Sequence, residues 1–306
     1  MWGRRWRRGS WCTAQRAAAL LLLSAGGAPA FVAPAAERVA AAVAAPHAPL
    51  LADRLRDVTD PFVGAPYHLS ALGEGSGIDP DPRLRFDAFD CTTFVETAMA
   101  LALAHDVTEA RALLDVIRYR DGKVDYLARR HFPEAEWIPE LTALGFLKDI
   151  TPALAKETLA RADKTLTLSL WKRSKKPGVP TLPDARIPEG TFSLTLWPLK
   201  DAQAHAREIP AGTVLHLVRV DFKNVPVRVS HQGLVLEKNG RKFLRHAADR
   251  MYHSVTDEPL DHFFARMVQY GKWPVAGVHL TQVTEPADWQ RLLRAAAPDA
   301  AAPAPL

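Results

Sequence analysis

The chain has 306 residues, 48% of them hydrophobic and 24% charged, with two cysteines. Such a chain builds its own core, which excludes a disordered polypeptide and a small disulfide-stapled scaffold. Five of the 39 basic residues and none of the 34 acidic ones lie in the first 30 positions, so residues 31–306 are formally neutral and carry no electrostatic footprint for nucleic acid.

Arg4, Arg5, Arg7, Arg8 and Arg16 flank an apolar run over 17–30, too short to span a bilayer, that ends in Ala28-Pro29-Ala30. A basic stretch, a short apolar run and an A-x-A site mark a signal peptide. Residues 1–30 are therefore expected to be removed, and the protein to be exported, periplasmic or extracellular, with no membrane span afterwards. An uncleaved anchor is the alternative. Cys12 would leave with the signal. Cys91 is then a lone thiol in an exported protein, either buried and inert or reactive.

Residues 31–50 are rich in Ala and Pro and read as a linker, 51–294 as one domain, and 295–306 as a disordered tail. To about residue 162 the apolar pattern is helical. Asp90 is expected to cap a helix starting at Cys91, with Phe94, Val95, Ala98, Leu101 and Ala102 on one face. Thr108 is expected to cap a second helix reaching about Tyr119, and Thr151-Pro152 to open a third. The stretch 172–190 is basic and Pro-rich and reads as a solvated loop, with contact to anionic cell wall as the alternative. From about 190 the pattern is strand-like, over 213–220, 227–237, 242–247 and 277–283. Short helices are expected at 260–267 and 287–293. Helices first and strands later predict an α+β fold.

Position makes Cys91 a candidate nucleophile. The free N–H groups at a helix start carry partial positive charge, which favours a thiolate and stabilises a developing oxyanion. A small buried residue is the alternative. A thiol nucleophile needs a base, and His231 opens a strand-like run in the β half. A two-residue Asn239-Gly240 turn pairs Lys238 with Arg241 and, counting outward, Gly233 with His246. His231 shares a face with Gly233, so His231 and His246 become diagonal neighbours, roughly 7–8 Å apart at the backbone. A three-residue turn would separate them.

At these residues the chain resembles an NlpC-like family of the papain-like superfamily, described as N-acetylmuramoyl-L-alanine amidase-like. The resemblance rests on Phe89-Asp90-Cys91-Thr92-Thr93-Phe94-Val95-Glu96-Thr97, Ile117-Arg118-Tyr119-Arg120-Asp121-Gly122, Ser230-His231-Gln232-Gly233-Leu234-Val235 and Arg245-His246-Ala247-Ala248. Gly64-Ala65-Pro66-Tyr67 matches a Gly-x-Pro-Tyr element of the superfamily. The likeness runs over about 60–285. It implies a papain-like, NlpC-type fold, with a helical half carrying the Cys packed on an antiparallel sheet carrying the His residues. It implies Cys91 as nucleophile, His231 as base and His246 as the group holding the imidazole. It places Tyr67 near the sulfur. Arg129-Arg130-His131 and Trp137 resemble a stretch beside the site, which makes His131 and Trp137 candidate substrate contacts; a core role for Tyr67 and Trp137 is the alternative. The 140 residues between Cys91 and His231 exceed the spacing of compact NlpC-type enzymes, and the family resembled carries extra helices there.

The implied reaction is hydrolysis of a peptidoglycan amide, lactyl–L-alanine or within the stem peptide, through a thioester, with no cofactor and no metal. Three alternatives stand beside it. An acyltransferase would use the same Cys–His pair, a non-catalytic protein would bind cell wall on this scaffold, and a zinc site would use Cys91, His231 and His246.

Overall fold

The computed structural model describes residues 34, 36–45, 48–174 and 181–296. The expected signal peptide and all of the expected tail but Ala295 and Ala296 lie outside these residues. Four helices open the described chain. In Ala36–Ala44 (α1), Val39 and Val43 stand four apart and both are buried, so a segment that reads as linker from its Ala content is a core-packed helix. Leu51–Thr59 (α2) follows. Cys91–Leu103 (α3) is buried on nearly every side, which its run of small and aliphatic residues permits. Val107–Arg118 (α4) packs against it, capped by Asp106, whose carboxylate accepts the Glu109 N–H at 2.8 Å. The cap falls two residues before the expected Thr108, because Asp106 already has extended backbone.

Beyond Ile138–Ala143 (α5), helices and strands alternate: Leu147–Asp149 (β1), Thr151–Ala155 (α6), Ala160–Leu166 (β2), Leu168–Arg173 (α7), Gly190–Pro198 (β3), Leu199–Ala204 (α8), Thr213–Arg219 (β4), Val229–Lys238 (β5), Arg241–Ala248 (β6), Ser254–Pro259 (β7), Leu260–Val268 (α9), Val275–Val283 (β8) and Trp289–Ala296 (α10). The helix opened by Thr151-Pro152 is thus only five residues long and sits between strands. The stretch 172–190, expected as a loop, begins in α7 and ends where β3 starts.

The architecture is α+β. The strands form one antiparallel sheet in the order β2-β3-β8-β4-β5-β6-β7, with β1 also on β8. β4 is buried along its whole length, as a central strand covered on both faces must be. Val214 and Val218 point into the core shared with α2, α3 and α4, and Leu215 and Leu217 into the core shared with α8 and α9.

Asn239 and Gly240 take φ of 52° and 72°, the left-handed values a two-residue hairpin turn demands. Lys238 pairs with Arg241, as the turn predicts, and the β5–β6 ladder runs to Leu234–Arg245 and stops. The Arg245 side chain is fully buried. It meets Asp257 at 2.6 and 2.7 Å and Asp60 at 2.6 Å, so it ties β6 and β7 to the end of α2. On the same side of the sheet, the buried Glu96 of α3 accepts from Arg118 at 2.7 Å and from the Trp137 indole at 2.9 Å. These charge-assisted contacts fix α3, and with it Cys91, against α4 and α5.

Candidate active site

Cys91 is the first residue of α3. The Asp90 carboxylate accepts the N–H groups of Thr92 and Thr93 at 2.9 and 2.7 Å, and Thr93 returns a bond to the Asp90 N–H at 3.0 Å, closing a capping box. A third N–H, from Ser70, reaches Asp90 at 2.9 Å. The box leaves the Cys91 N–H unclaimed. The β5–β6 ladder ends at Leu234, so the main-chain N–H of Gln232 has no strand partner on that side and is directed at the Cys91 sulfur. The start of α3 thus meets the sheet where two strands part.

The two predicted imidazoles meet. His231 Nε2 and His246 Nδ1 lie 2.6 Å apart, with ring centroids separated by 4.9 Å. Gly233 makes this possible, since a Cβ there would stand 2.9 Å from that of His246. One strand further on, Leu244 pairs with Glu258 and His246 with Thr256. Glu258 is therefore the next diagonal neighbour, with Oε2 at 3.3 Å from His246 Nε2. Arg266 of α9 closes the row, meeting both Glu258 oxygens at 2.9 and 2.6 Å. The row His231, His246, Glu258 crosses three strands on one face and ends on a guanidinium.

The neighbouring carboxylate selects the tautomers. A carboxylate only accepts, so Glu258 at 3.3 Å favours the proton on His246 Nε2, and Nδ1 then accepts from His231 Nε2–H. His231 Nδ1 is left with its lone pair. Against the burial that would raise it, His246 and Arg266 hold the Glu258 carboxyl down at about 2. His231 is pushed well below the ordinary imidazole value by burial, and further by the neighbouring His246, Arg266 and Arg219. Both imidazoles are neutral near pH 7.

The sulfur corrects an expectation. Burial, reinforced by the Asp90 charge, raises the Cys91 thiol to about 12, and the Gln232 and Thr92 hydrogen bonds only partly oppose it. The helix start does not win here, because its capping carboxylate is one residue away. At rest the pair is thiol and neutral imidazole. Iodoacetamide alkylation of Cys91, followed by mass, is accordingly expected to quicken about tenfold per pH unit from neutrality into the alkaline range. A rate independent of pH around neutrality would instead reveal a preformed thiolate.

Cys91, Tyr67, His231 and His246 line one cavity of about 310 Å³. Burial, then the charges of Cys91 and Asp90, raise the Tyr67 phenol, which keeps its proton and remains a donor beside the sulfur. His131 and Trp137 are not in the cavity. His131 packs on Tyr126 and bonds its carbonyl at 2.7 Å, and Trp137 is core, bound to Glu96 and set edge-on to His216. A shared zinc ion is poorly served, because His246 Nδ1 already meets His231 and Nε2 faces Glu258 at 3.3 Å. Sequence reasoning missed Glu258 and Arg266. Nothing in Asp257-Glu258-Pro259 signals a strand that faces a core.

The fold is shared with proteins of known structure. A protein from Legionella pneumophila str. Philadelphia 1, of the DUF1460 family model, is 25% identical over 77% of this chain and 90% of its own, with a TM-score of 0.68. An N-acetylmuramoyl-L-alanine amidase from Bacteroides uniformis shares the fold at 20% identity and a TM-score of 0.59, over 77% of this chain and 99% of its own. So does a Bacteroides fragilis structure provisionally described as a xylanase, at 22% identity and a TM-score of 0.57, over 72% and 97%. No curated protein matches the chain. The family model for AmiA-like, N-acetylmuramoyl-L-alanine amidase-like proteins matches residues 57–269, which hold Cys91, both imidazoles, Glu258 and Arg266. The chain belongs to that amidase-like family.

Proposed function

We propose that the protein is a cysteine hydrolase that cleaves an amide of peptidoglycan through a thioester on Cys91. The observation that carries this reading is the row from His231 to Glu258, which leaves one imidazole nitrogen with a free lone pair in the cavity that holds the only thiol among the described residues. The family supports a hydrolase acting on peptidoglycan amides. The row of side chains gives the reason for a cysteine mechanism and goes with a place in the NlpC-like branch of the papain-like superfamily.

The chemistry follows from the two neutral partners. As Cys91 Sγ attacks the amide carbonyl, its proton passes to His231 Nδ1, and the new C–S bond leaves an oxyanion. The unclaimed Cys91 N–H, at the positive end of α3, and the Tyr67 hydroxyl face that charge. The imidazolium at His231 gains the compensation of Glu258 through His246, which the neutral ring does not need. His231 then protonates the leaving nitrogen as the C–N bond breaks. Water, giving a proton to His231 Nδ1, attacks the thioester carbonyl, and as the C–S bond breaks that proton passes to Cys91 Sγ, restoring the thiol and releasing the acid.

A glycosidase reading, raised by the xylanase description of one structural relative, finds little support. Glycoside hydrolysis uses two carboxyl groups flanking the bond. The one carboxylate lining this cavity is Asp249, and Glu258 is committed to Arg266 and His246.

Digestion of purified sacculi, with products identified by mass, tests the proposal. Expected are muramoyl or stem-peptide fragments bearing a new amine and a new carboxylate. Prior alkylation should abolish them and a chelator should leave them. Products with a new reducing sugar end would overturn the proposal.

A further inference from the structure

The cavity beside Cys91 holds more positive charge than its own carboxylates balance. Arg219 ends β4, two residues beyond Leu217, whose strand partner is His231. Here β4 is irregular on both sides: the pairing with β5 skips Ser230, and the pairing with β8 skips Ala276. Such bulges re-aim side chains next to active sites. The Arg219 side chain is turned into the cavity, yet the residue is only 9% exposed.

Every partner of this guanidinium is neutral. Nε donates to Ser230 Oγ at 2.7 Å and Nη1 to the Trp273 carbonyl at 2.6 Å. The planar group lies 4.7 Å from the Tyr270 ring centroid and 5.6 Å from that of Trp273. No carboxylate lies within ion-pair distance of it among the described residues. Of the two other guanidiniums lining the cavity, Arg266 is paired with Glu258, while Arg250 donates to the Tyr270 hydroxyl at 3.0 Å and has no carboxylate partner among the described residues. Asp249 is exposed and, among the described residues, the only carboxylate lining the cavity. A buried, stacked and orientationally fixed guanidinium without a counter-ion is costly unless something outside the chain supplies one. Its free Nη2 edge offers that partner a donor in a fixed plane.

We propose that Arg219, steered by Ser230, is the receptor for a carboxylate of the substrate and makes the enzyme select an acidic peptide stem. The proposal rests on the hydrolase reading given above and names what that site recognises. The two-residue step from Leu217 to Arg219 is about 7 Å along a strand. The bound carboxylate therefore falls within roughly two residues of the scissile carbonyl. This assigns a purpose to the Ser230-His231 pair in the sequence: one residue aims the receptor and the next carries the base.

The test uses two muramoyl dipeptides that differ only in a carboxylate or a carboxamide on the second residue. The wild-type protein should favour the carboxylate form by about 10- to 100-fold in kcat/KM, chiefly through KM. Arg219→Gln should lose that preference by falling on the carboxylate form alone. Its retained hydrolysis of the carboxamide form would show that it folds. Equal hydrolysis of both forms by the wild type, or an equal fall on both in the variant, overturns the proposal. Binding of the two peptides to Cys91→Ala separates the two readings. If neither peptide is cleaved but the carboxylate form binds more tightly, and only when Arg219 is present, the hydrolase reading fails and the receptor stands. If neither is cleaved and both bind alike, both fail.

Discussion

Cys91→Ala is expected to lower hydrolysis of a muramoyl peptide by roughly 10⁴- to 10⁶-fold while leaving the fold intact. The size follows from the mechanism. Without sulfur there is no acyl-enzyme, and His231, held well below ordinary imidazole basicity, is a weak base for activating water directly. The fold should survive because Ala is a strong helix former and the capping box is made by Asp90 and Thr93, not by Cys91. Cys91→Ser should be nearly as inactive. A hydroxyl is harder to deprotonate than the thiol it replaces, and the depressed His231 cannot make up the difference. Product formation by chromatography, alongside a thermal melt, checks both variants. Substantial turnover by Cys91→Ala would remove the thioester from the reaction.

Glu258→Gln is expected to cost about 10² to 10⁴ in kcat/KM. Two groups demand acceptors from this residue, His246 Nε2 on one side and the Arg266 fork on the other. A carboxylate satisfies both. An amide has one oxygen, so either Arg266 faces an NH₂ group or His246 does. In the second case His246 must turn its proton to Nδ1, which then competes with the proton on His231 Nε2. His231 is driven to the wrong tautomer, and Nδ1 loses its lone pair. A second readout separates this role from simple support. The Glu258 charge raises both imidazoles, although burial outweighs it. Its loss should carry the acid limb of the kcat/KM profile to lower pH, as well as reducing its height. An unmoved limb would make Glu258 a packing residue. The carboxyl of Glu258 lies at about 2 in the folded chain, below its ordinary 4.5. Its contribution to stability is therefore complete above that ordinary value and fades as pH falls toward 2.

Much of the candidate site's geometry was legible because local rules governed it. Asp90 is a good cap by chemistry, and Cys91 follows it. The Asn239-Gly240 turn fixed a register, and the register brought His231 to His246. Glu258 escaped because it depends on a second register, between β6 and β7, whose connection at residues 249–253 holds no two-residue turn to count from. β2 escaped for another reason. Its inward positions are Ala162, Lys164 and Leu166, and a lysine in that pattern hides the alternation. Lys164 is tolerated there because its amine meets Asp221 at 2.6 Å. The Ala-rich α1 reads as linker until the spacing of its two valines is given a core to face. Trp137, similar in place to a substrate contact, is spent on Glu96. Arg219 was invisible because two irregularities in pairing, not any motif, aim it.

The gap between β5 and β6 that receives the start of α3 has a consequence for how the protein acquires activity. Cys91 and His231 come from stretches of chain 140 positions apart, and closing so long a loop is slow and comes late. Until the hairpin is in place, the thiol has neither the Gln232 amide nor an imidazole near it. On the proposed mechanism a growing or partly folded chain is thus chemically silent, and hydrolytic power arrives only with the finished sheet.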